Sequence, residues 1–279
     1  MVFCFIPGVL VNMGFRVEGK IALITGAATG IGFEYASELL RHGLKGVTIV
    51  DFDSTKGFEA AQKLNNQYGK TVAHFCRADV TKEDELKSAF NVALDKWKTL
   101  DIVINNAGVM KDGSWEMEIA INCNAVVTGS LLALEHMGKH RGGKGGIVVN
   151  IASILGLQEL SGCPIYVGTK HFVLGMTRSF GQSYFYNKTG VKFLTMCPGV
   201  TDTPLITDAS SFALSDYEGL GKLLAEQLAS LPEQEPPYVA KGMYHLITHG
   251  DNGSVWVCEG RQPIYEVDIP DRLTLKKIN

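Results

Sequence analysis

From residue 20 to residue 258 the chain alternates between short apolar runs and longer stretches of helical periodicity, which constrains its fold more than any other feature. Runs such as IALIT and DIVIN are apolar along their length, as expected for strands that are covered on both faces. Strands and helices that alternate this often predict an α/β fold, with a doubly wound parallel sheet flanked by helices. The predicted strands are Ile21–Thr25, Val47–Asp51, Val72–Cys76, Ile102–Asn105, Ile147–Ile151, Val191–Met196 and Val255–Cys258. Helical patterns include Phe33–His42, Thr55–Tyr68, Lys82–Trp97, Ile119–His140 and Ile165–Tyr186.

The 279 residues contain no internal repeat, low-complexity tract or linker that would divide them. Length alone would suggest about two domains, but the uninterrupted pattern favours one domain over residues 20–258. Residues 1–19 are predicted to be an apolar leader, and residues 259–279 a C-terminal tail that covers a site or a neighbour. The least regular stretch, residues 199–237, is rich in proline and predicts a lid over a site at the carboxyl edge of the sheet.

Charge and cysteine usage indicate the binding partners and the cellular compartment of the chain. With 26 Lys and Arg against 29 Asp and Glu, the net charge of −3 gives no general attraction for nucleic acid or for an anionic membrane. The six cysteines include no CxxC pair, which favours a reduced, cytoplasmic protein. The apolar run Val2–Val11 is too short for a transmembrane segment, so a packed or disordered leader is favoured, with secretion or a weak membrane anchor left open.

The first strand ends in a glycine turn, TGAATGIG at residues 25–32, and a helical pattern follows at once. Glycine permits a tight turn and lets the backbone approach a pyrophosphate at the helix N-terminus, where unpaired N–H groups favour anions. The spacing is GxxxGxG and not GxGxxG, and an ordinary strand–helix turn is the alternative interpretation. Its place between the first strand and the first helix favours a dinucleotide cofactor.

The second strand ends at Asp51, nineteen residues after Gly32. A dinucleotide-binding fold places there the carboxylate that binds the adenine ribose hydroxyls. That carboxylate would repel a 2′-phosphate, and no Lys or Arg stands in residues 26–32 or beside Asp51 to offset it. NAD is therefore predicted over NADP; a solvated Asp that opens the turn to Asp53 is the alternative.

Further motifs follow along the chain: Asp79-Val80, NNAG at residues 105–108, Asn122, Ser153, Tyr166-xxx-Lys170, and Pro198-Gly199 with Thr203. With the glycine turn and these motifs, residues 20–258 resemble the short-chain dehydrogenase/reductase family. The resemblance implies a Rossmann-type domain with a seven-stranded parallel sheet and a catalytic set of Asn122, Ser153, Tyr166 and Lys170. It also implies the cofactor-binding residues Gly26, Thr29, Gly30, Ile31, Gly32, Asp51, Asp79, Val80, Asn106, Ala107, Gly108, Tyr166, Lys170, Pro198, Gly199, Val200 and Thr203.

The YxxxK motif occurs twice, at Tyr166/Lys170 and at Tyr184/Lys188. Only Tyr166 has a serine, Ser153, thirteen residues earlier and just past a predicted strand. Tyr184 has His171 at that offset and stands at the end of the helical pattern. We therefore predict that Tyr184 and Lys188 form a helix surface pair.

Oxidation of an alcohol by hydride transfer requires a base, and free Tyr, with a pKa near 10, is a poor one. A Lys ammonium one helical turn away and a cationic nicotinamide would lower the pKa of Tyr166. Ser153 would bind the substrate oxygen, where charge changes during the transfer. By resemblance, Lys170 also holds the nicotinamide ribose and Asn122 orders a water in the proton relay; Asn124 is a nearby competitor for that role.

Two other patterns resemble a phosphate-binding loop and a metal site but do not match either one. Residues 138–144 nearly spell a phosphate-binding loop, but Gly145 replaces the required Ser or Thr, and the segment follows a helix and precedes a strand. His136 and His140 have a spacing that can bind metal, but without further ligands a solvated helix end is the better interpretation, and no metal site is predicted.

Two branches of the family resemble the chain: the insect-type short-chain alcohol dehydrogenases and the 15-hydroxyprostaglandin dehydrogenase-like proteins. The second branch carries Gln three residues before its catalytic Tyr, where this chain has Cys163, which weakens a prostaglandin assignment. The expected activity is NAD-dependent interconversion of a lipophilic alcohol and its ketone or aldehyde. Oxidation of hydroxylated fatty acids, or a non-catalytic nucleotide-binding or storage protein on the same fold, is the alternative. The predicted substrate pocket is lined by Leu155, Cys163, Leu205 and Phe212.

The same resemblance implies a homodimer or homotetramer that pairs through the helical patterns Ile119–His140 and Ile165–Tyr186. Apolar residues of these patterns could serve either the core or that interface: Val126, Leu131, Leu134, Phe172 and Met176. The sequence alone does not divide them.

Overall fold

A computed structural model describes residues 4–6, 9–11 and 14–276. Its strands are β1 (Cys4–Ile6), β2 (Val9–Val11), β3 (Ile21–Thr25), β4 (Gly46–Asp51), β5 (Ala73–Arg77), β6 (Ile102–Asn105), β7 (Gly146–Ile151), β8 (Val191–Pro198), β9 (Val255–Cys258) and β10 (Tyr265–Glu266). Its α-helices are α1 (Gly30–Arg41), α2 (Ser54–Tyr68), α3 (Glu83–Trp97), α4 (Trp115–Ile119), α5 (Ala125–Met137), α6 (Pro164–Phe180), α7 (Ser183–Thr189), α8 (Leu220–Ala229) and α9 (Pro236–His249).

The main sheet has eight strands in the order β10-β9-β8-β7-β6-β3-β4-β5. Seven of them, β3 to β9, run parallel, which confirms the predicted doubly wound sheet, while the two-residue β10 is added antiparallel to β9. From β3 the chain moves outward to β4 and β5 and then returns to pair β6 on the other side of β3. Ligands of such sheets bind outside the carboxyl ends of the strands at this reversal.

Both faces of the sheet are covered. Along β3, Ala22 and Ile24 pack into one hydrophobic cluster, together with Leu39 of α1. The alternate residues Ile21 and Leu23 pack into the cluster on the opposite face. Since all five residues of β3 are buried, the strand needs apolar side chains on both faces, and this explains its continuous apolar run.

Two differences from the predicted elements concern helices. The predicted helix Ile119–His140 is α4 and α5 joined by a π-helical segment, Ala120–Asn124. The predicted helix Ile165–Tyr186 breaks at Gly181, where an added Cβ would lie 2.3 Å from the Cα of Gly253. Tyr184 therefore lies near the start of α7 and not at the end of a long helix.

The predicted lid, residues 199–237, contains a regular helix, α8, which buries Leu224 and Leu228. This helix was not predicted, because prolines on both sides of it are typical of irregular structure. An isolated parallel bridge between Thr201 and Gln234 closes the base of this excursion. It thus begins and ends beside the carboxyl end of β8; its action as a lid stays a prediction.

The two ends of the chain are described in part. In the leader, β1 and β2 form an antiparallel hairpin in which Cys4 is opposite Val11; residues 1–3, 7, 8, 12 and 13 lie outside the described residues. In the tail, Val267 and Ile269 pack against the cluster that contains Tyr166. The tail therefore covers part of the domain, while the boundaries proposed for the leader and the tail stay predictions.

One helical stretch, Asp112–Met137, is long and apolar enough to cross a membrane by length and composition. Over its most apolar part, 56% is buried within the fold. Core helices of globular proteins commonly meet the same criterion, so the stretch is explained by its packing against the sheet.

Candidate active site

A cavity of about 600 Å³ opens at the carboxyl edge of the sheet, beside the reversal between β3 and β6. Segments that are far apart in sequence meet there because parallel strands end at the same edge. The structure brings all of the predicted cofactor-binding residues to its wall: Gly26, Thr29, Gly30, Ile31, Gly32, Asp51, Asp79, Val80, Asn106, Ala107, Gly108, Tyr166, Lys170, Pro198, Gly199, Val200 and Thr203.

The glycine turn packs directly against the loop after β6. Gly26 has a φ of +63°, and an added Cβ there would lie 2.8 Å from the Cα of Ala107, so the turn requires glycine on both counts. Asn106 fixes the contact, because its Nδ2 donates to the carbonyl oxygens of Thr25 at 2.9 Å and Gly26 at 3.0 Å. An added Cβ at Gly32 would meet the same Nδ2 at 2.5 Å. The floor of the cavity is thus built from backbone and from one amide.

The N-terminus of α1 faces this cavity without a side-chain cap. Its N-cap residue, Thr29, makes no capping hydrogen bond, and the first turn contains no acidic residue. The free N–H groups and the helix dipole suit a phosphate group. The donor set of the turn therefore fits the pyrophosphate of a dinucleotide.

Asp51 lies at the end of β4 on the same wall. Its Oδ2 accepts a hydrogen bond from the Ala28 N–H at 3.1 Å, and its Oδ1 accepts from the Asp53 N–H at 3.1 Å. This arrangement fixes the carboxylate at the side of the glycine turn, where it fits ribose hydroxyls. Lys56, which the sequence analysis did not consider, also lines the cavity, but its Nζ lies 3.6 Å from Asp53 Oδ2. Asp53 therefore offsets the positive charge of Lys56.

At the opposite end of the cavity, Ser153, Tyr166 and Lys170 come together from β7 and α6. Tyr166 is 7% exposed, Lys170 5% and Ser153 8%, so all three are buried and still line the cavity. The Lys170 ammonium lies 5.3 Å from the centre of the Tyr166 ring and donates a hydrogen bond to the Ile151 carbonyl at 3.1 Å. Ser153 Oγ accepts from the Leu155 N–H at 3.1 Å, which orients the hydroxyl.

Burial changes the pKa values of Tyr166 and Lys170. It raises the pKa of Tyr166 well above its usual range, and a side-chain hydrogen bond with Ser153 acts in the opposite direction. It lowers the pKa of Lys170 to about 8. The sequence predicts that Lys170 lowers the pKa of Tyr166. Among the protein's own groups, desolvation raises the pKa of Tyr166 instead, because the phenolate loses its hydration in this site.

Asn122 lies in the π-helical segment, 1% exposed, and does not line the cavity. Its Oδ1 accepts from the Val109 N–H at 2.9 Å, while its Nδ2 donates to the Val109 carbonyl at 2.7 Å and to Thr169 Oγ at 3.1 Å. The side chain therefore ties the loop after β6 to α6. Its role in ordering a water stays a prediction.

Apolar side chains line the chamber beyond the tyrosine. Leu155, Leu205 and Phe212 lie on its wall, as predicted. Cys163 does not: it is the N-cap residue of α6 and is fully buried in the core, so the prediction that it lines the substrate pocket is wrong. Further apolar residues line the cavity but were not predicted, because the local sequence pattern does not show that they face it: Met110, Met117, Ile121, Ile154, Leu228 and Leu231.

Two buried carboxyl groups behind the tyrosine were also missed. Asp112 and Glu118 are both 0% exposed. Asp112 accepts hydrogen bonds from the first N–H groups of α6, from Ile165 at 2.8 Å and from Tyr166 at 3.1 Å. The available signal was an acidic residue within the helical pattern WEMEIAIN, at a position that packs inward.

Sequence comparison agrees with the geometry. A profile described as short chain dehydrogenase matches residues 20–213. The 15-hydroxyprostaglandin dehydrogenase (NAD(+)) of Mus musculus is 35% identical over 238 residues, covering 83% of this chain and 86% of that protein. Alcohol dehydrogenase 2 of Ceratitis capitata is 32% identical over 242 residues, covering 86% and 92%. The predicted resemblance to these two branches is confirmed.

Comparison with solved structures shows the same fold at lower sequence identity. The crystal structure of levodione reductase has a TM-score of 0.75 at 23% identity and covers 87% of this chain and 97% of its own. The crystal structure of 3-ketoacyl-(acyl-carrier-protein) reductase from Brucella melitensis, complexed with NADH, has a TM-score of 0.73 at 23% identity and covers 88% and 98%.

Proposed function

The chain belongs to the short chain dehydrogenase family, and we propose that it is a NAD-dependent dehydrogenase that interconverts a lipophilic alcohol and its ketone or aldehyde. The observation that carries this proposal is the position of Tyr166. Its buried side chain lines the same cavity as the glycine turn and the apolar residues Leu155, Leu205 and Phe212.

The cofactor supplies a nicotinamide ring that accepts a hydride from the carbon of the alcohol or returns it. The glycine turn and the N-terminus of α1 would hold its pyrophosphate, and Asp51 its adenine ribose. Relatives in both branches are dehydrogenases, and the murine relative carries NAD(+) in its name. The Asp51 carboxylate would repel a 2′-phosphate, so the geometry supports NAD.

Tyr166 acts as the acid and base. During oxidation its phenolate oxygen takes the hydroxyl proton of the alcohol, and during reduction its hydroxyl returns a proton to the carbonyl oxygen. Lys170 supplies a cation one turn away along α6, held by the Ile151 carbonyl, and this charge stabilises the phenolate. Ser153 is placed to donate a hydrogen bond to the substrate oxygen, where negative charge develops.

The apolar chamber supports a lipophilic substrate. Leu205 and Phe212 reach it from the excursion between β8 and α9, and Leu155 from the turn after β7. A hydrocarbon group that leaves water for such a chamber gains about 25 cal/mol per Å² of apolar surface. Small polar alcohols gain little there, so we expect catalytic efficiency to rise with the apolar area of the alcohol.

A NAD-coupled assay with secondary and primary alcohols of increasing chain length tests the proposal. We expect kcat/KM to increase with chain length, and to be higher with NAD than with NADP at equal concentration. A Leu205→Ser substitution should weaken the dependence on chain length and leave the KM for NAD unchanged. Equal rates with long apolar and small polar alcohols would refute the apolar chamber, and a preference for NADP would refute the role of Asp51.

We further propose that the chain pairs with a second copy through α5 and α6. The structure divides the candidate residues: Val126 and Leu134 are buried in the core, whereas Leu131 and Phe172 are 51% and 43% exposed. Two glycines share the outer face of α6 with Phe172, and an added Cβ at either would meet no described atom of the chain within 4 Å: Gly168 and Gly175.

A glycine inside a helix costs about 1 kcal/mol relative to Ala, and packing within the chain does not explain these two. Close approach of a second helix would. We therefore expect a dimer or tetramer in sedimentation equilibrium, and dissociation after Phe172→Glu. A wild-type chain that sediments as a monomer at micromolar concentration would refute this pairing.

We propose the cytoplasm as the compartment. Five cysteines in the described part of the chain are free thiols, and four of these are buried, which is the state that a reducing compartment maintains. Cell fractionation with an antibody tests this, and recovery of the chain with secreted proteins would contradict it.

A further inference from the structure

Glu118 has a fully buried carboxyl group, yet only one of its two oxygens is bonded. Its Oε1 accepts a hydrogen bond from the Lys111 N–H at 3.1 Å, whereas Oε2 has no donor among the described residues. A buried carboxylate with an unpartnered oxygen is costly, so this group is more stable as a neutral acid that can donate a hydrogen bond itself.

The acceptor for that proton is Asp112. Asp112 is the neighbouring acid that raises the pKa of Glu118, both by its charge and as a hydrogen-bond partner of the protonated carboxyl group. Both oxygens of Asp112 already accept N–H groups of the first turn of α6, so Asp112 is the acceptor of the pair and Glu118 its donor. Since one proton is shared by the pair, it belongs on Glu118.

The pair acts on the helix that carries Tyr166 and Lys170. Asp112 fixes the first N–H groups of that helix, one of them from Tyr166 itself. Glu118 in turn joins Asp112 to the backbone of Lys111, in the loop that lines the cavity. Displacement of either carboxyl group would therefore move the start of α6 and the phenol with it.

We propose that Glu118 is a positioning residue for the dehydrogenase reaction: as a neutral acid it donates a hydrogen bond to Asp112, and Asp112 holds the first turn of α6 so that Tyr166 faces the substrate. This rests on the proposed function, because the reaction assigned to Tyr166 is its readout. Glu118 itself touches neither substrate nor cofactor.

Ionisation of Glu118 would remove the hydrogen bond that it donates to Asp112 and would so weaken the positioning of Tyr166. Burial and the neighbouring charge of Asp112 raise the pKa of Glu118 to about 7. Above that pH Glu118 is negatively charged, which raises the pKa of Tyr166 further and makes its phenolate harder to form. The titratable groups around Glu118 are Asp112 before α4, Cys123 in the π-helical segment, and Cys163, Tyr166 and Lys170 at α6. Burial raises the pKa of both thiols, so they remain neutral. The hydrogen bond from the Lys111 N–H and the charge of Lys170 lower the pKa of Glu118 and favour its ionisation, but burial and Asp112 outweigh them.

The test compares Glu118→Gln, Glu118→Ala and Glu116→Gln with wild type. Gln at 118 can accept from the Lys111 N–H and donate to Asp112 without ionising, whereas Ala can do neither. Glu116 lies on the same short helix and is exposed, so Glu116→Gln is the matched control. The measurement is kcat and KM for NAD reduction from pH 6 to pH 9.

We expect Glu118→Ala to lower kcat by about tenfold or more with the KM for NAD unchanged, because small displacements of a catalytic group are costly. Glu118→Gln should restore kcat at pH 6 and move the rise of kcat with pH to lower pH than in wild type. Glu116→Gln should superimpose on wild type. If Glu118→Ala keeps full kcat, or if the Gln profile superimposes on wild type, the proposal is overturned.

Thermal unfolding gives a second readout that does not depend on turnover. A group whose pKa is higher in the folded state contributes stability that is fully present below the usual pKa of 4.5 and is lost as pH rises through about 7. The melting temperature of wild type should therefore fall relative to Glu118→Gln as pH rises from about 4.5 to about 7, and the difference should change little above that pH. Equal pH dependence would overturn the proposal even in a chain that oxidises no alcohol, whereas absent turnover with the expected melting difference would refute only the proposed function.

Discussion

The two YxxxK motifs place the same side chains in two different environments. Tyr166 and Lys170 are 7% and 5% exposed and line the cavity, whereas Tyr184 is 68% exposed and Lys188 lies on the surface of α7. The distances from the ammonium to the centre of the ring are similar, 5.3 Å in the first pair and 6.0 Å in the second. Proximity of Lys to Tyr therefore does not distinguish the two pairs.

Burial distinguishes them. Desolvation lowers the pKa of Lys170 to about 8 and raises that of Tyr166, so neither group can keep its usual proton affinity. Perturbed groups that line a cavity are the common signature of a catalytic site. The predicted surface pair is confirmed: Tyr184 and Lys188 lie in solvent, away from the cavity.

The largest expected effect comes from removal of the phenolic hydroxyl. Tyr166→Phe should lower kcat for NAD-dependent alcohol oxidation by about 10³-fold, the usual contribution of a general acid or base. Tyr184→Phe is the matched control and should change kcat less than twofold, since its hydroxyl is in solvent. Steady-state kinetics with one long-chain alcohol measure both variants. Comparable losses in the two variants, or full activity in Tyr166→Phe, would end the distinction between the motifs.

A smaller effect, on stability, should sharpen the comparison. Burial lowers the pKa of Lys170 from 10.5 to about 8, and at about 1.4 kcal/mol per pKa unit the buried cation costs about 3 kcal/mol at pH 7. The lost hydrogen bond to Ile151 is worth about 1 kcal/mol in the opposite direction. Lys170→Met should therefore unfold at a temperature about 5 °C higher than wild type at pH 7, although it loses activity.

The pH dependence of this stability difference follows from the lowered pKa of Lys170. Stability from neutral Lys170 is fully present above pH 10.5 and is lost as pH falls through about 8, so the advantage of Lys170→Met should shrink as pH rises toward 10. Lys188→Met, in solvent, should melt like wild type at every pH. Calorimetry measures the three proteins, and a Lys170→Met variant that melts at or below wild type at pH 7 would show that the buried cation is not destabilising.

Much of the fold could be predicted because its signals are local. Apolar runs gave three strands with the bounds found in the structure, Ile21–Thr25, Ile102–Asn105 and Val255–Cys258. The break at Gly181 and the helix α8 could not be predicted, since the first depends on a contact with Gly253 across the fold and the second on an apolar face that only the neighbouring cluster explains.

The residues of the site also divide into those that local sequence signals predict and those whose position depends on contacts across the fold. The residues predicted to bind the cofactor lie on the cavity wall because most of them follow strands directly, where a parallel sheet brings its loops to one edge; their binding of the cofactor stays a prediction. Cys163 was placed wrongly because the sequence does not reveal which side of the first turn of α6 faces the cavity. Asp112 and Glu118 were overlooked because their burial arises only when the loop after β6 folds against α6.

By itself the sequence determined the sheet, the glycine turn, the carboxylate at Asp51 and the choice of Tyr166 over Tyr184. These depend on residue type and on order along the chain. Only the tertiary structure decided which groups lose their water: Tyr166, Lys170 and Glu118 became buried through contacts between distant segments. Since desolvation sets their proton affinities, the chemistry expected of the site depends on packing that a linear pattern does not contain.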